Sequence, residues 1–304
     1  KADWRVTRNS VLSLGLQATY YKDTNGNISR AASVGTNATS TPAGGAPLTF
    51  AENFSRSATG RGTVTYGGGT FHIDARTLGS NLRYRFENGD WRIDVGASAS
   101  TSKTWLRAPE KGSFQSLQIG LLETTGVRVN LDDIRPEGPK SIRAFNGNNR
   151  EIDLFDIRNF RLNTATSTYR DHRDDTFGGE LNVRRNLKLF EVPLALQTGG
   201  SIKSQDRDHR MFTRVRTYNP TNPADPTPAP FLMQVYKNRQ NYFDYDYIPW
   251  ASPSRAVEAW GKNPALFTQT AAQQVTEEQT RITGSQGLTE TTSALYAQAE
   301  ARLR

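Results

Sequence analysis

The sequence predicts an all-β protein: an antiparallel transmembrane β-barrel section of about seven spanning strands with long extracellular loops. Three observations predict it. Hydrophobic alternation with a period of two recurs along the chain, helical periodicity is scarce, and short and long connections between the alternating segments follow one another strictly.

Trp4–Thr7 reads as the end of a first strand within 1–7, joined to the next through Arg8, Asn9 and Ser10. In the second, 11–22, Leu12, Leu14, Leu16, Ala18 and Tyr20 alternate with Ser13, Gly15, Gln17, Thr19 and Tyr21, giving one apolar and one polar face. The third, 71–86, sets Leu78, Leu82, Tyr84 and Phe86 on one face. Asn88-Gly89 then marks a tight turn, because this pair accepts positive φ. The fourth, 91–105, alternates Trp91, Ile93, Val95, Ala97 and Ala99 with Arg92, Asp94, Gly96, Ser98 and Ser100. The fifth, 174–187, carries Phe177, Gly179, Leu181, Val183 and Leu187 opposite Gly178, Glu180, Asn182, Arg184 and Asn186. The sixth, 193–207, carries Leu194, Leu196, Thr198, Gly200 and Ile202 opposite Ala195, Gln197, Gly199, Ser201 and Lys203. The last, 289–304, sets Leu295, Ala297, Ala299, Ala301 and Leu303 against Tyr296, Gln298, Glu300 and Arg302.

The connections at 8–10, 87–90 and about 188–193 are short, and those at 23–70, 106–173 and 208–288 are long. A soluble β-sandwich has no reason to gather every long loop at one end, whereas transmembrane barrels combine short turns on one side with long loops on the other. Trp4, Tyr84, Phe86, Trp91 and Phe190 gather at the short-turn end, as an interfacial girdle or as cross-strand pairs of a soluble hairpin. Residues 33–49 and 219–230 are rich in Gly, Pro, Ser and Thr and show no period. One helix is expected, from Ser254 to Trp260, opened by Ser252-Pro253 and stopped by Gly261 and Pro264.

Composition agrees with this pattern. The 304 residues are 35% hydrophobic, below the roughly 45–50% of ordinary domains, a scale that also counts Gly. No run approaches the ~20 apolar residues of a membrane helix, and a barrel needs only alternate apolar residues. Zero cysteines exclude disulfides, thiolate metal sites and cysteine nucleophiles. The net charge is +8, with Arg spread among Asp and Glu rather than clustered, so no nucleic-acid partner is expected. The chain opens on Lys1 without an initiating Met or a signal peptide, which reads as a processed chain or a fragment.

No catalytic set emerges, and neither an enzyme nor a cofactor or metal is expected. His72, His172 and His209 are too far apart in sequence for a His-x-x-x-His pair. Asp206, Asp208 and His209 could hold a cation, but Arg207 and Arg210 beside them favour ion pairs. Asp244 and Asp246, as same-face strand neighbours, do not by themselves give the separation or the pKa split of glycosidase carboxylates, and Gly67-Gly68-Gly69 lacks the helix and Lys of a phosphate loop. Binding remains. Tyr236, Tyr242, Phe243, Tyr245, Tyr247 and Trp250 form an aromatic run in the longest loop, suited to stacking on sugars or flat chelates and equally to packing the loop. Arg184, Lys203 and Arg302 fall on the polar, lumen-facing side, where they would attract anions or, equally, pair with acidic residues of a plug.

The run Phe177–Leu187, then Val192–Gly200, then Gln205–Arg210 resembles mid-barrel strands of TonB-dependent outer-membrane receptors. Glu290–Leu303 is similar to a later strand of that family, and Phe243–Trp250 with its following helix resembles a large extracellular loop of one subgroup. The resemblance implies an internal piece of a 22-stranded barrel, with plug, TonB box and terminal aromatic strand not seen. It implies the outer membrane of a Gram-negative bacterium, contact with its lipid and lipopolysaccharide, and energy from a TonB–ExbB–ExbD complex acting on the plug. The implied activity is uptake of a scarce small-molecule or oligosaccharide ligand, such as a ferric siderophore or a glycan. A passive porin-like barrel and a secreted β-rich carbohydrate-binding protein are the alternatives.

Overall fold

The computed structural model describes residues 1–35, 49–109, 111–189, 192–233 and 250–301. It is all-β with antiparallel pairing and, among the described residues, two α-helices. The main sheet is a meander. Its strands are β1 (Ala2–Thr7), β2 (Ser10–Ser33), β5 (Thr63–Glu87), β6 (Trp91–Arg107), β11 (Phe160–Leu189), β12 (Val192–Tyr218) and β14 (Gln286–Ala301), hydrogen-bonded in that order. Two short strands join its far end: β7 (Ser116–Leu121) fills the place between β5 and β11 beyond the end of β6, and β13 (Phe267–Thr268) pairs with β12. Among the described residues, β1 and β14 do not pair with each other, so the sheet is open at both edges.

A second sheet runs β10 (Glu151–Ile152), β9 (Gly138–Phe145), β8 (Arg128–Arg135), β4 (Phe54–Arg56) and β3 (Thr49–Ala51). With the helices α1 (Pro253–Lys262) and α2 (Ala271–Thr283), it forms a cap at the end of the main sheet away from the short turns.

The short turns at 8–10 and 87–90 are closed by identifiable bonds. Thr7 and Ser10 share a hydroxyl contact of 2.8 Å, and Gly89 takes φ +89°, as the Asn-Gly turn requires. Asn88 Oδ1 accepts from the Trp91 N–H, and the Asn186 amide donates to the Gly89 carbonyl, tying that turn to the neighbouring hairpin.

The long connections are shorter than expected. Residues 23–33, 63–70, 160–173 and 208–218 belong to strands, and 106–159 contains β7 to β10. The expected boundaries followed apolar alternation, which stops where Lys22, Asp74, Arg173 and Asp208 begin. The ladder continues because charged side chains pair along and across the strands, as in Arg107–Asp171 at 2.9 Å and Arg207–Asp174 at 3.0 Å. The longest strand, β11, has 30 residues, about 100 Å of chain.

Helix α1 extends the expected 254–260 by a residue or two at each end; Ser252 caps it and Ala256 is buried. Helix α2 was not anticipated. Its signature is the capping box, with the Thr270 hydroxyl accepting from the Gln273 N–H and Gln273 Oε1 accepting from the Thr270 N–H.

Candidate functional site

Each long strand of the main sheet carries one alternating face that passes through three zones. In the lower zone, nearest the short turns, the face is apolar and bare. Leu16 is 72% exposed, Phe177 62% and Leu295 91%, and Trp4, Leu78, Leu82, Trp91, Val95, Leu181, Leu196 and Ile202 are exposed beside them. The register places these in shared rows, such as Leu14 with Leu82 and Ala97, or Val95 with Leu181 and Gly200. On β11 this face runs from Phe177 to Leu187, about 34 Å of strand or about 24 Å of height at a 45° tilt, and is apolar except for Arg185, which lies over the Trp91 ring near the lower end.

The middle zone is charged on the same face. Asp74–Arg76, Arg107–Asp171, Arg173–Asp175 and Arg210–Asp208 form ion pairs, and the Arg76 guanidinium lies between the Tyr20 and Trp105 rings at 5.4 and 5.2 Å. In the upper zone the face turns apolar again, but protein covers it. Val64, Tyr66 and Ala165 are buried there with Phe160, Leu162, β7 and the cap residues Val127, Val129, Ala144 and Ala256. Tyr66 packs on Phe160 at 4.7 Å and donates to the Leu154 carbonyl, and burial pushes its phenol up to about 12. On β12, Arg214 grips Glu277 of α2 with two bonds of 2.7 and 2.8 Å. Those bonds, with Gln269 and Arg281 adding to them, hold the Glu277 carboxyl at about 2.

The opposite face of the lower zone is polar. Asp94 is nearly buried among Arg85 at 2.8 Å, Arg92 at 3.0 Å and Arg83 at 3.7 Å. Tyr296 donates to Asn182 and accepts from Gln197, with its ring over Gly199, where a Cβ would stand 2.7 Å from Cε1. Higher on this face His172 and His209 stack with ring centroids 4.1 Å apart. The cation site considered at Asp206, Asp208 and His209 does not assemble, because the two aspartates share the face opposite His209. Among the described residues no group of three metal-ligating side chains converges.

A pocket of about 300 Å³ opens where the cap meets β2, β5 and β7. Its walls include Tyr66, Phe114, Leu117, Ile119, Met233 and Trp250, and Gly67-Gly68-Gly69 supply bare backbone. Trp250 stands edge-on to Tyr66 at 5.8 Å, and its carbonyl accepts from the Met233 N–H, so two distant points of the chain meet at the pocket.

Of the expected ligand residues, Trp250 reaches this pocket, while Tyr236, Tyr242, Phe243, Tyr245 and Tyr247 lie outside the described residues. Arg184 is on the polar face but is paired with Glu300 at 3.0 Å, so its charge is met within the sheet. Lys203 is exposed on that face near Glu180, Thr176 and Ser201. Arg302, Phe190 and the Asp244/Asp246 pair are outside the described residues. The contributions of Asn27, Thr70 and Gly67–Gly69 to a pocket were missed; a glycine run inside a strand marks close approach or open space, and that was the available signal. No family model, no curated protein and no solved structure matches the chain.

Proposed function

We propose that the chain forms a section of the wall of a TonB-dependent outer-membrane receptor, with the bare band against lipid, the cap outside the cell and the polar face toward the lumen. The bare band carries the reading. Its height of about 24 Å matches the roughly 25 Å apolar belt of outer-membrane barrels, and aromatics (Trp4, Trp91) stand at its lower margin with ion pairs at its upper one. A water-exposed apolar face of this width is rare on soluble monomers. A secreted two-layer protein would cover it, and the second sheet covers only the upper zone.

The open edges at β1 and β14 are places for further barrel strands, since free ladders of this length otherwise template aggregation. The TonB dependence rests on the resemblance of the strand runs, and with it come the TonB–ExbB–ExbD complex and uptake of a scarce ligand. Fractionation tests the location: the protein is expected in outer membranes, resisting carbonate and released by detergent. Stable, monomeric behaviour in water overturns the reading. Uptake that survives loss of TonB moves the assignment to a passive porin-like barrel.

A further inference from the structure

We infer that His172 and His209 form a binding site for a late d-block cation, copper(II) ahead of nickel(II) and zinc(II). The two residues lie 37 apart in the chain, and the register of β11 and β12 sets them directly opposite each other. Their Nδ1 atoms stand 3.0 Å apart. Two imidazole nitrogens at ~2.05 Å from one metal ion are separated by that distance when they subtend about 94°. At the tetrahedral angle they would be about 3.3 Å apart. The observed spacing therefore suits neighbouring positions of a square-planar or tetragonal ion, the geometry of copper(II) and nickel(II). In the structure one Nδ1–H donates to the other Nδ1; with both protons on Nε2, both Nδ1 lone pairs are free to ligate. The rings are inclined by 26°, and His172 is exposed, so a turn about χ2 brings the lone pairs together.

The surroundings select among cations. Thr104 of β6, His172, His209 and Gln286 of β14 form one row across four strands. The flanking hydroxyl and amide are neutral and can hydrogen-bond the waters that complete a metal's coordination. In the rows to either side on the same face stand Arg170 with Met211, and Asp174 with Arg207. The Asp174 carboxylate is taken up by Arg207, Gln205 and Thr176, and Arg170 adds positive charge. Among the described residues the site thus offers a cation no attractive field and no free carboxylate. Calcium and magnesium, which bind through such oxygens, are not expected. Nitrogen coordination has to hold the ion, and imidazole with the usual affinity order puts copper(II) first. The inference stands on this row and does not rest on the receptor reading.

Titration of the full chain in detergent with copper(II) chloride, followed by calorimetry and electron paramagnetic resonance, tests it. One ion is expected to bind with hyperfine coupling to two nitrogens, nickel(II) and zinc(II) more weakly, and calcium not at all. His172→Ala and His209→Ala each weaken copper binding tenfold or more. His172→Gln, which removes the imidazole and keeps a polar side chain on the strand, gives the same loss. His72→Ala leaves binding unchanged, since that ring bonds Thr24 on the far side of β6. Copper binding that survives both alanine substitutions, that falls equally in His72→Ala, or that shows no nitrogen coupling overturns the inference. A chain that binds copper through this pair but is stable and monomeric in water overturns the receptor reading and leaves this one standing.

Discussion

The same face of the same strands is bare at one end and buried at the other. On β11, Phe177 is 62% exposed and Ala165 fully buried; on β5, Leu78 is exposed and Val64 buried. Apolar residues recur on this face in both zones, so their presence in a strand does not specify what will cover them. Among the described residues, a five-stranded sheet and two helices cover the upper zone and nothing covers the lower one. Between them lie ion pairs that neither lipid nor a protein core would accept without cost. The contrast is what a boundary between two surroundings produces: protein supplies the cover above the charged rows, and on the proposed reading lipid supplies it below.

Charge placed mid-band breaks the comparison most sharply. Leu181→Arg is expected to cost about 2–4 kcal/mol and to abolish assembly into membranes, because the position would sit near the bilayer midplane. A soluble sheet would tolerate it within about 0.5 kcal/mol, since the site is exposed. Heat-resistant folded protein in outer membranes, measured for variant and parent, separates the two. In the cap, Phe160→Ala is expected to cost about 3–5 kcal/mol and to loosen the cap while membrane insertion persists, because this side chain is fully enclosed and leaves a cavity. Limited proteolysis of the cap reads that loss. Equal effects of both substitutions on insertion would erase the distinction between zones.

The lower zone was legible in the sequence because Leu194, Leu196 and Ile202 recur at a period of two on one face of β12, with little charge among them. The turns were legible for a local reason, Asn88-Gly89 requiring positive φ. The strand extensions were hidden because Asp171–Asp175 and Asp206–Arg210 carry charge on both faces, and their pairing partners lie more than thirty residues away in the chain. The cap was hidden for the same reason on a larger scale. Val127 and Val129 of one connection meet Ala256 and Phe267 of another, and no local period records that meeting. The pocket follows from it, so Trp250 alone was visible in advance, as one aromatic among several.

The cap's grip on the sheet gives a smaller effect. Glu277→Gln leaves Arg214 partly buried beside a neutral amide, and about 2–3 kcal/mol of the docking of α2 is expected to be lost. Acid repeats the experiment on the parent chain. The Glu277 carboxyl is held at about 2, below its ordinary 4.5, so the folded form binds its proton less readily than the unfolded one. Its contribution is therefore whole above about pH 4.5 and fades as pH falls toward 2. Proteolytic cleavage within Ala271–Thr283 should rise over that window in the parent and already be high at neutral pH in the variant.

The smallest effect is expected back in the lower zone, on its polar face. Arg184 and Glu300 are both partly exposed, so their 3.0 Å contact works against solvent screening and side-chain entropy. Glu300→Gln should change stability by less than about 1 kcal/mol, several-fold less than Glu277→Gln, although each removes a carboxylate from an arginine. The difference follows from burial: the Glu277 side chain is 7% exposed and carries two arginines, whereas Glu300 is 53% exposed and carries one. Denaturant midpoints of the two variants in one detergent provide the comparison. A Glu300→Gln loss as large as that of Glu277→Gln would mean that the polar face is shielded from water as the cap is, against the wet lumen that the proposed barrel requires.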